Sequence, residues 1–237
     1  MGFRDSDILR VEVDGLAVRE GPSRSSLLMQ GERVVGVPIA EPTGDVRLNA
    51  GDFVSVHLGP LSIGDTIWYL VWPAEGGLLF HSTISWNTAA SDGSGSSPGW
   101  VAASVGPDHY LSLHRRPDPS EYGSASPGGP TTLMTGGDGD YESGSQVRHD
   151  LFWINWVVVA RDSSPCEFSM TLRPDGEAAP LVAIETTTSG LLQGPLTGPD
   201  SPDTPWGRSA GGDWETFTVT IESSCKWAIR LAPMAHD

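Results

Sequence analysis

Three carboxylates stand close together in Asp138-Gly-Asp-Tyr-Glu142. Oxygen ligands at such spacing suit a hard cation such as calcium. The turn glycine and the terminal glutamate that complete a calcium-binding loop are missing, so Asp138, Asp140 and Glu142 read as a solvated acidic stretch. The six histidines, His57, His81, His109, His114, His149 and His236, form no His-x-x-x-His pair and no zinc spacing. No Gly-x-Ser-x-Gly elbow, phosphate-binding loop or dinucleotide fingerprint is present. These residues assign no catalytic group, no metal and no cofactor, and the expectation is a protein that is not an enzyme.

The two cysteines carry a different chemistry. A catalytic thiolate needs a positive field and exposure. Cys166 follows Pro165, precedes Glu167 and opens an apolar-faced strand instead. Cys166, Phe168, Met170 and Leu172 alternate with Glu167, Ser169, Thr171 and Arg173. Cys225, Trp227, Ile229 and Leu231 alternate with Lys226, Ala228 and Arg230. Period-2 alternation puts each cysteine on the inward face of its strand. A Cys166–Cys225 disulfide is the economical reading. It would place the protein in an oxidising compartment, outside the cell or in its envelope. The alternative is two buried thiols that pack as small apolar groups. The opening residues lead straight into a strand, without the charged and apolar segments that direct export.

Aromatic side chains are the other candidates. Trp68, Tyr69, Trp72, Trp86, Trp100 and Tyr110 concentrate in the first half of the chain. Where such rings reach solvent they stack on sugars or peptide planes. Along one strand Trp68 and Trp72 point one way and Tyr69 the other, so one set is expected near the surface.

The elements that must position these residues are strands. No window of a dozen residues keeps a helical apolar pattern free of Gly and Pro, whereas alternation recurs. Val11 and Val13 alternate with polar neighbours, and Asn49-Ala-Gly-Asp52 turns into a strand through Phe53, Val54 and Val56. Ile67 to Trp72 suits a central strand buried on both faces. Phe217, Val219 and Ile221 alternate with threonines ahead of a turn at Ser223-Ser224. The 29 glycines and 19 prolines fit many short strands and turns. Residues 115–146, rich in Pro, Gly and Ser, read as a linker between domains at 1–114 and 147–237. Gly190 to Gly212 and Ala90 to Gly99 read as loops.

Charge limits the partners. The net charge of −16 and pI near 4.5 repel phosphate backbones and anionic membrane surfaces. Nucleic acid is therefore rejected, and no apolar run is long enough to span a membrane.

The first region resembles a bacterial SH3-like domain. The resemblance rests on Gly15-Leu-Ala-Val-Arg-Glu-Gly-Pro-Ser23, on Leu48-Asn-Ala-Gly-Asp-Phe-Val-Ser-Val56, on Trp68-Tyr69 and on Gly99-Trp-Val101. Gln30 to Asp45 and Ala74 to Pro98 are insertions relative to that pattern. The C-terminal region looks like a small β-sandwich of the kind found in bacterial envelope proteins, through Phe152-Trp153, Cys166-x-Phe168 and Cys225-x-Trp227-x-Ile229. The implied fold is all-β, an SH3-like barrel with insertions followed by an antiparallel sandwich. The implied function is non-enzymatic binding of cell-wall glycan, peptide or a protein partner through the first domain. The alternatives are a structural subunit of a surface assembly and an accessory fragment of a cell-wall hydrolase.

Overall fold

The computed structural model describes residues 2–33, 45–74, 84–87, 98–117, 133–147, 152–162, 164–180, 182–194 and 216–233. The fold is all-β: its sheets are antiparallel, and no helix occurs among the described residues, hence none long and apolar enough to cross a membrane. The chain divides into two compact units, residues 1–121 and 122–237.

The first unit is built on a six-stranded sheet. Strand β1 (Ile8–Val11) pairs on one side with β10 (Leu111–Arg115) and on the other with the long β5 (Phe53–Ile63). Next come β6 (Thr66–Ala74), β8 (Gly99–Val105) and β9 (Asp108–His109). The sheet ends at β10 and β9, and none of the described sheets closes on itself. The barrel expected here is therefore an open sheet, its class all-β as anticipated. As expected, Trp68 to Val71 are buried in a central strand. Gly15, in the left-handed region at φ 75°, turns the chain into β2 (Leu16–Ala17), which pairs with β4 (Arg47–Leu48). The segments Gln30 to Asp45 and Ala74 to Pro98 each supply a strand, and these pair together: β3 (Gln30–Arg33) with β7 (Ile84–Asn87). Most of both segments, and of Ala90 to Gly99, lies outside the described residues.

The second unit has two sheets facing across one core. The first sheet runs β11 (Leu133–Asp138), β19 (Lys226–Pro233), β14 (Phe152–Val159), β17 (Leu191–Gln193). The second runs β12 (Tyr141–Glu142), β18 (Thr216–Ser223), β15 (Cys166–Pro174), β16 (Val182–Thr188), and β13 (Gln146–Val147) also pairs with β18. Ile154, Trp156, Trp227, Ile229 and Leu231 meet Phe168, Met170, Leu172, Phe217, Val219 and Ile221 between them. Trp156 stacks on Phe168 from the opposite sheet, ring centres 5.9 Å apart. The connections β11–β12, β14–β15, β16–β17 and β18–β19 all pass from one sheet to the other. By register they do so at the same end, where Asp138 and Val159 both stand opposite Lys226, and Phe168 opposite Ser223. The Cys166–Cys225 disulfide lies at that end, with S–S 2.08 Å and Cα–Cα 5.2 Å.

Residues 133–146, which read as linker by composition, supply β11, β12 and the start of β13 in this sandwich. The glycines there serve packing. A Cβ on Gly137 would lie 2.8 Å from the indole of Trp227, and Trp227 Nε1 donates to the Gly139 carbonyl at 2.8 Å. Bare backbone is what lets β11 lie flat on a buried tryptophan. A second departure concerns β19, expected to alternate between core and surface. Ala228 and Arg230 are buried as well, and Arg230 Nη1 donates to Asn155 Oδ1 on the neighbouring strand at 3.3 Å.

Candidate functional site

Inward apolar residues leave the outward half of each strand to solvent. On β15 that half is Glu167, Ser169, Thr171 and Arg173; on β18 it is Thr216, Thr218, Thr220 and Glu222. Because the two strands are neighbours in register, the outward residues form rows. Ser169 stands between Glu222 and Glu185. Thr171 stands opposite Thr220, which stands opposite Glu142. Arg173 faces Thr218. Rows on adjacent strands are about 4.8 Å apart, so the hydroxyls are neighbours and the Glu222 and Glu185 stems lie about 10 Å apart.

Two shallow grooves score this face. One, of about 390 Å³, is lined by Glu142, Ser169, Thr171, Arg173, Thr218, Thr220 and Glu222. The other, of about 600 Å³, adds Glu167, Glu185, Thr186 and Thr187. Carboxylates only accept hydrogen bonds, hydroxyls donate and accept, and the guanidinium only donates. Together they suit a ligand dense in hydroxyl, amide or ammonium groups.

One end of the face is pinned by Asp175, in the turn after β15. Its carboxylate accepts from Ser145 Oγ at 2.7 Å, Thr216 Oγ1 at 2.6 Å and Thr218 Oγ1 at 2.9 Å. Donation by Ser145, Thr216 and Thr218 holds the carboxyl below the usual carboxylate range. The turn falls at Arg173-Pro-Asp-Gly176, with Gly176 at φ 87°.

The aromatic candidates lie elsewhere and mostly inside. By register Trp68, Trp72 and Trp100 share one face of the first unit's sheet and Tyr69 takes the other. Trp68, Tyr69 and Trp100 are 3%, 2% and 1% exposed, so none offers a ring face to a ligand. Burial on both faces removes the surface set that simple alternation implied. Trp72 and Tyr110 are half-buried, and Trp72 meets buried His57 edge-on at 5.9 Å. Among the described residues the indole N–H groups of Trp72 and Trp100 are buried without an acceptor. Trp86 belongs to β7, with its side chain outside the described residues.

The acidic trio does not converge. Asp138 pairs with Arg161. Asp140 Oδ1 accepts from the Ser223 N–H at 2.9 Å, bracing the β18–β19 corner. Glu142 alone reaches the grooved face. Among the described residues no group of three His, Cys, Asp or Glu is arranged to hold a metal ion. His114 packs on Phe53 at 4.6 Å, His109 is exposed on β9, and His81, His149 and His236 lie outside the described residues.

The hydroxyl face was half visible in sequence. The alternations that marked the core of β15 and β18 also marked their polar sides, but which strands are neighbours was not encoded locally. Comparison with protein-family models, with curated proteins and with solved structures found no match to this chain.

Proposed function

We propose that the chain is a non-enzymatic binding protein of the extracellular space or cell envelope, and that its recognition surface is the solvent face of the five-stranded sheet. The observation that carries this reading is the set of rows Glu142–Thr220–Thr171 and Glu222–Ser169–Glu185 along two adjoining grooves. Cell-wall glycan with its peptide fits the chemistry, because it offers hydroxyl, amide and amine groups along an extended chain. The disulfide supports the compartment, since such bonds persist where the surroundings are oxidising. Burial of Trp68, Tyr69 and Trp100 is the reason for moving the surface from the first unit to the second.

Sedimentation with purified peptidoglycan, followed by calorimetric titration of soluble fragments, tests the reading. The double variant Thr171→Val, Thr220→Val is expected to weaken binding about tenfold, the equivalent of one or two hydrogen bonds. Trp72→Ala should leave it unchanged. Loss of binding in Trp72→Ala with none in the threonine variant would return recognition to the first unit.

One observation favours a second reading, a structural subunit of a surface assembly. Among the described residues strand β17 stands last in its sheet, with Leu191 and Leu192 exposed at 43% and 36%. Such an edge is a template for strand addition. Concentration-dependent assembly without glycan, abolished by Leu192→Lys, would support that reading over the first.

A further inference from the structure

Uncommon features gather at one point of the first unit. Residues 3–7 lie over Tyr69: the rings of Phe3 and Tyr69 are 5.3 Å apart, and the Phe3 N–H donates to Tyr69 Oη at 3.2 Å. Ser6 holds φ 64°, a left-handed conformation costly for a residue with a side chain. Its N–H donates to the Val56 carbonyl at 2.9 Å, and the Val56 N–H donates to the Asp7 carbonyl at 3.0 Å. Asp7 is fully buried. Its carboxylate receives a two-pronged pair from Arg116, Nε to Oδ1 and Nη2 to Oδ2, both at 2.8 Å. It also accepts the Arg4 N–H at 2.8 Å. The arginine side chain, by contrast, is 42% exposed.

The seat is as specific as the latch. A Cβ on Gly59 would lie 2.7 Å from Tyr69 Cδ1, so the phenol ring is sunk against bare backbone, and Phe3 packs on it as well. The covering segment is short, holds a strained residue, and is fastened at one end by a ring contact and at the other by an ion pair. A partly buried two-pronged pair has defined geometry and resists salt better than an exposed one.

We propose that residues 3–7 form a charge-latched strap: with the Asp7–Arg116 pair intact it is closed over Tyr69, and loss of that pair releases it as a unit, uncovering the Tyr69 ring and the main chain of Val56. The strained Ser6 favours release, and the ion pair opposes it. The accessible half of the latch is Arg116, so a carboxylate or phosphate brought to that side chain competes with Asp7 for it.

The test is hydrogen exchange by mass spectrometry on the full chain, combined with nitration of tyrosine by tetranitromethane. In Asp7→Asn and in Arg116→Gln, exchange in residues 3–7 and nitration of Tyr69 are each expected to rise at least tenfold. Peptides from β6 and β8 should keep their wild-type protection. Phe3→Ala, which leaves the ion pair in place, should raise Tyr69 nitration and serves if a latch variant fails to fold. The proposal is overturned if strap and central strands lose protection together, which would make the segment part of the cooperative core. It is also overturned if Tyr69 stays protected in the variants that fold.

Discussion

The first unit closes its fold with charge and bulges, the second with register and a covalent bond. In the first, β1–β10, β5–β6 and β6–β8 all slip register, β5–β6 twice. Its central strands are buried on both faces, and its two ends are joined through Asp7 and Arg116. In the second, every strand pairing of the two sheets runs without a slip. Its core lies between two sheets, and Cys166–Cys225 clamps the end where the chain changes sheet. Uninterrupted register keeps the core stripe on one side of each strand, whereas a single bulge re-aims everything after it. The second unit is consequently an ordered surface of alternating polar rows, and the first a dense apolar body with little regular surface of its own.

The largest expected effect falls on the bridge. Closing 59 residues of separation stabilises by about 4 kcal/mol in the chain-entropy model. Cys225→Ser, or reductant on the wild type, should lower the stability of the second unit by about that amount, and with it its melting temperature, and leave the first untouched. Calorimetry resolving the two transitions checks it, and equal loss in both would break the contrast. Next comes Gly59→Ala. Gly59 sits at φ 139° with Tyr69 Cδ1 at 2.7 Å and the Trp68 carbonyl oxygen at 3.0 Å from any added Cβ. The expected cost is about 3 kcal/mol, confined to the first unit.

A smaller effect depends on pH. Asp175 has a lowered folded-state pKa, so its contribution is present above the ordinary carboxylate pKa. It is lost as pH falls through the lowered value. Asp175→Asn should therefore melt below wild type at neutral pH, and the gap should close under strong acid. A gap that widened in acid would contradict the assigned hydroxyl cradle. Smallest of all, Glu222→Gln and Thr171→Val should change stability by less than about 0.5 kcal/mol, as expected for solvent-facing positions. If either variant unfolds the sandwich, the grooved face belongs to its structure rather than to recognition.

Legibility in the sequence followed the same divide. In the second unit, Cys166, Phe168, Met170 and Leu172 were readable as one face, as were Cys225, Trp227, Ile229 and Leu231, and all lie in one core. The error there was composition: Thr135-Gly-Gly-Asp-Gly139 looks like linker until Trp227 is seen lying on Gly137. In the first unit, the turn at Asn49–Asp52 was readable, because positive φ at Gly51 is a local demand. Which of the rings at Trp68, Tyr69 and Trp72 reaches solvent was not readable, because exposure depends on what covers each face of the sheet.

Local chemistry alone determined that this chain is all-β, where several of its turns fall, and which two side chains of the second unit face inward to form its disulfide. Those properties arise from dihedral preference and period-2 alternation, which act over a few residues. Tertiary structure alone decided that the sheet of the first unit stays open, that β15 and β18 lie side by side to make a polar face, and that Asp7 meets Arg116. These pairings join residues far apart in the chain, and their energies come from burial and register that no short window of sequence contains.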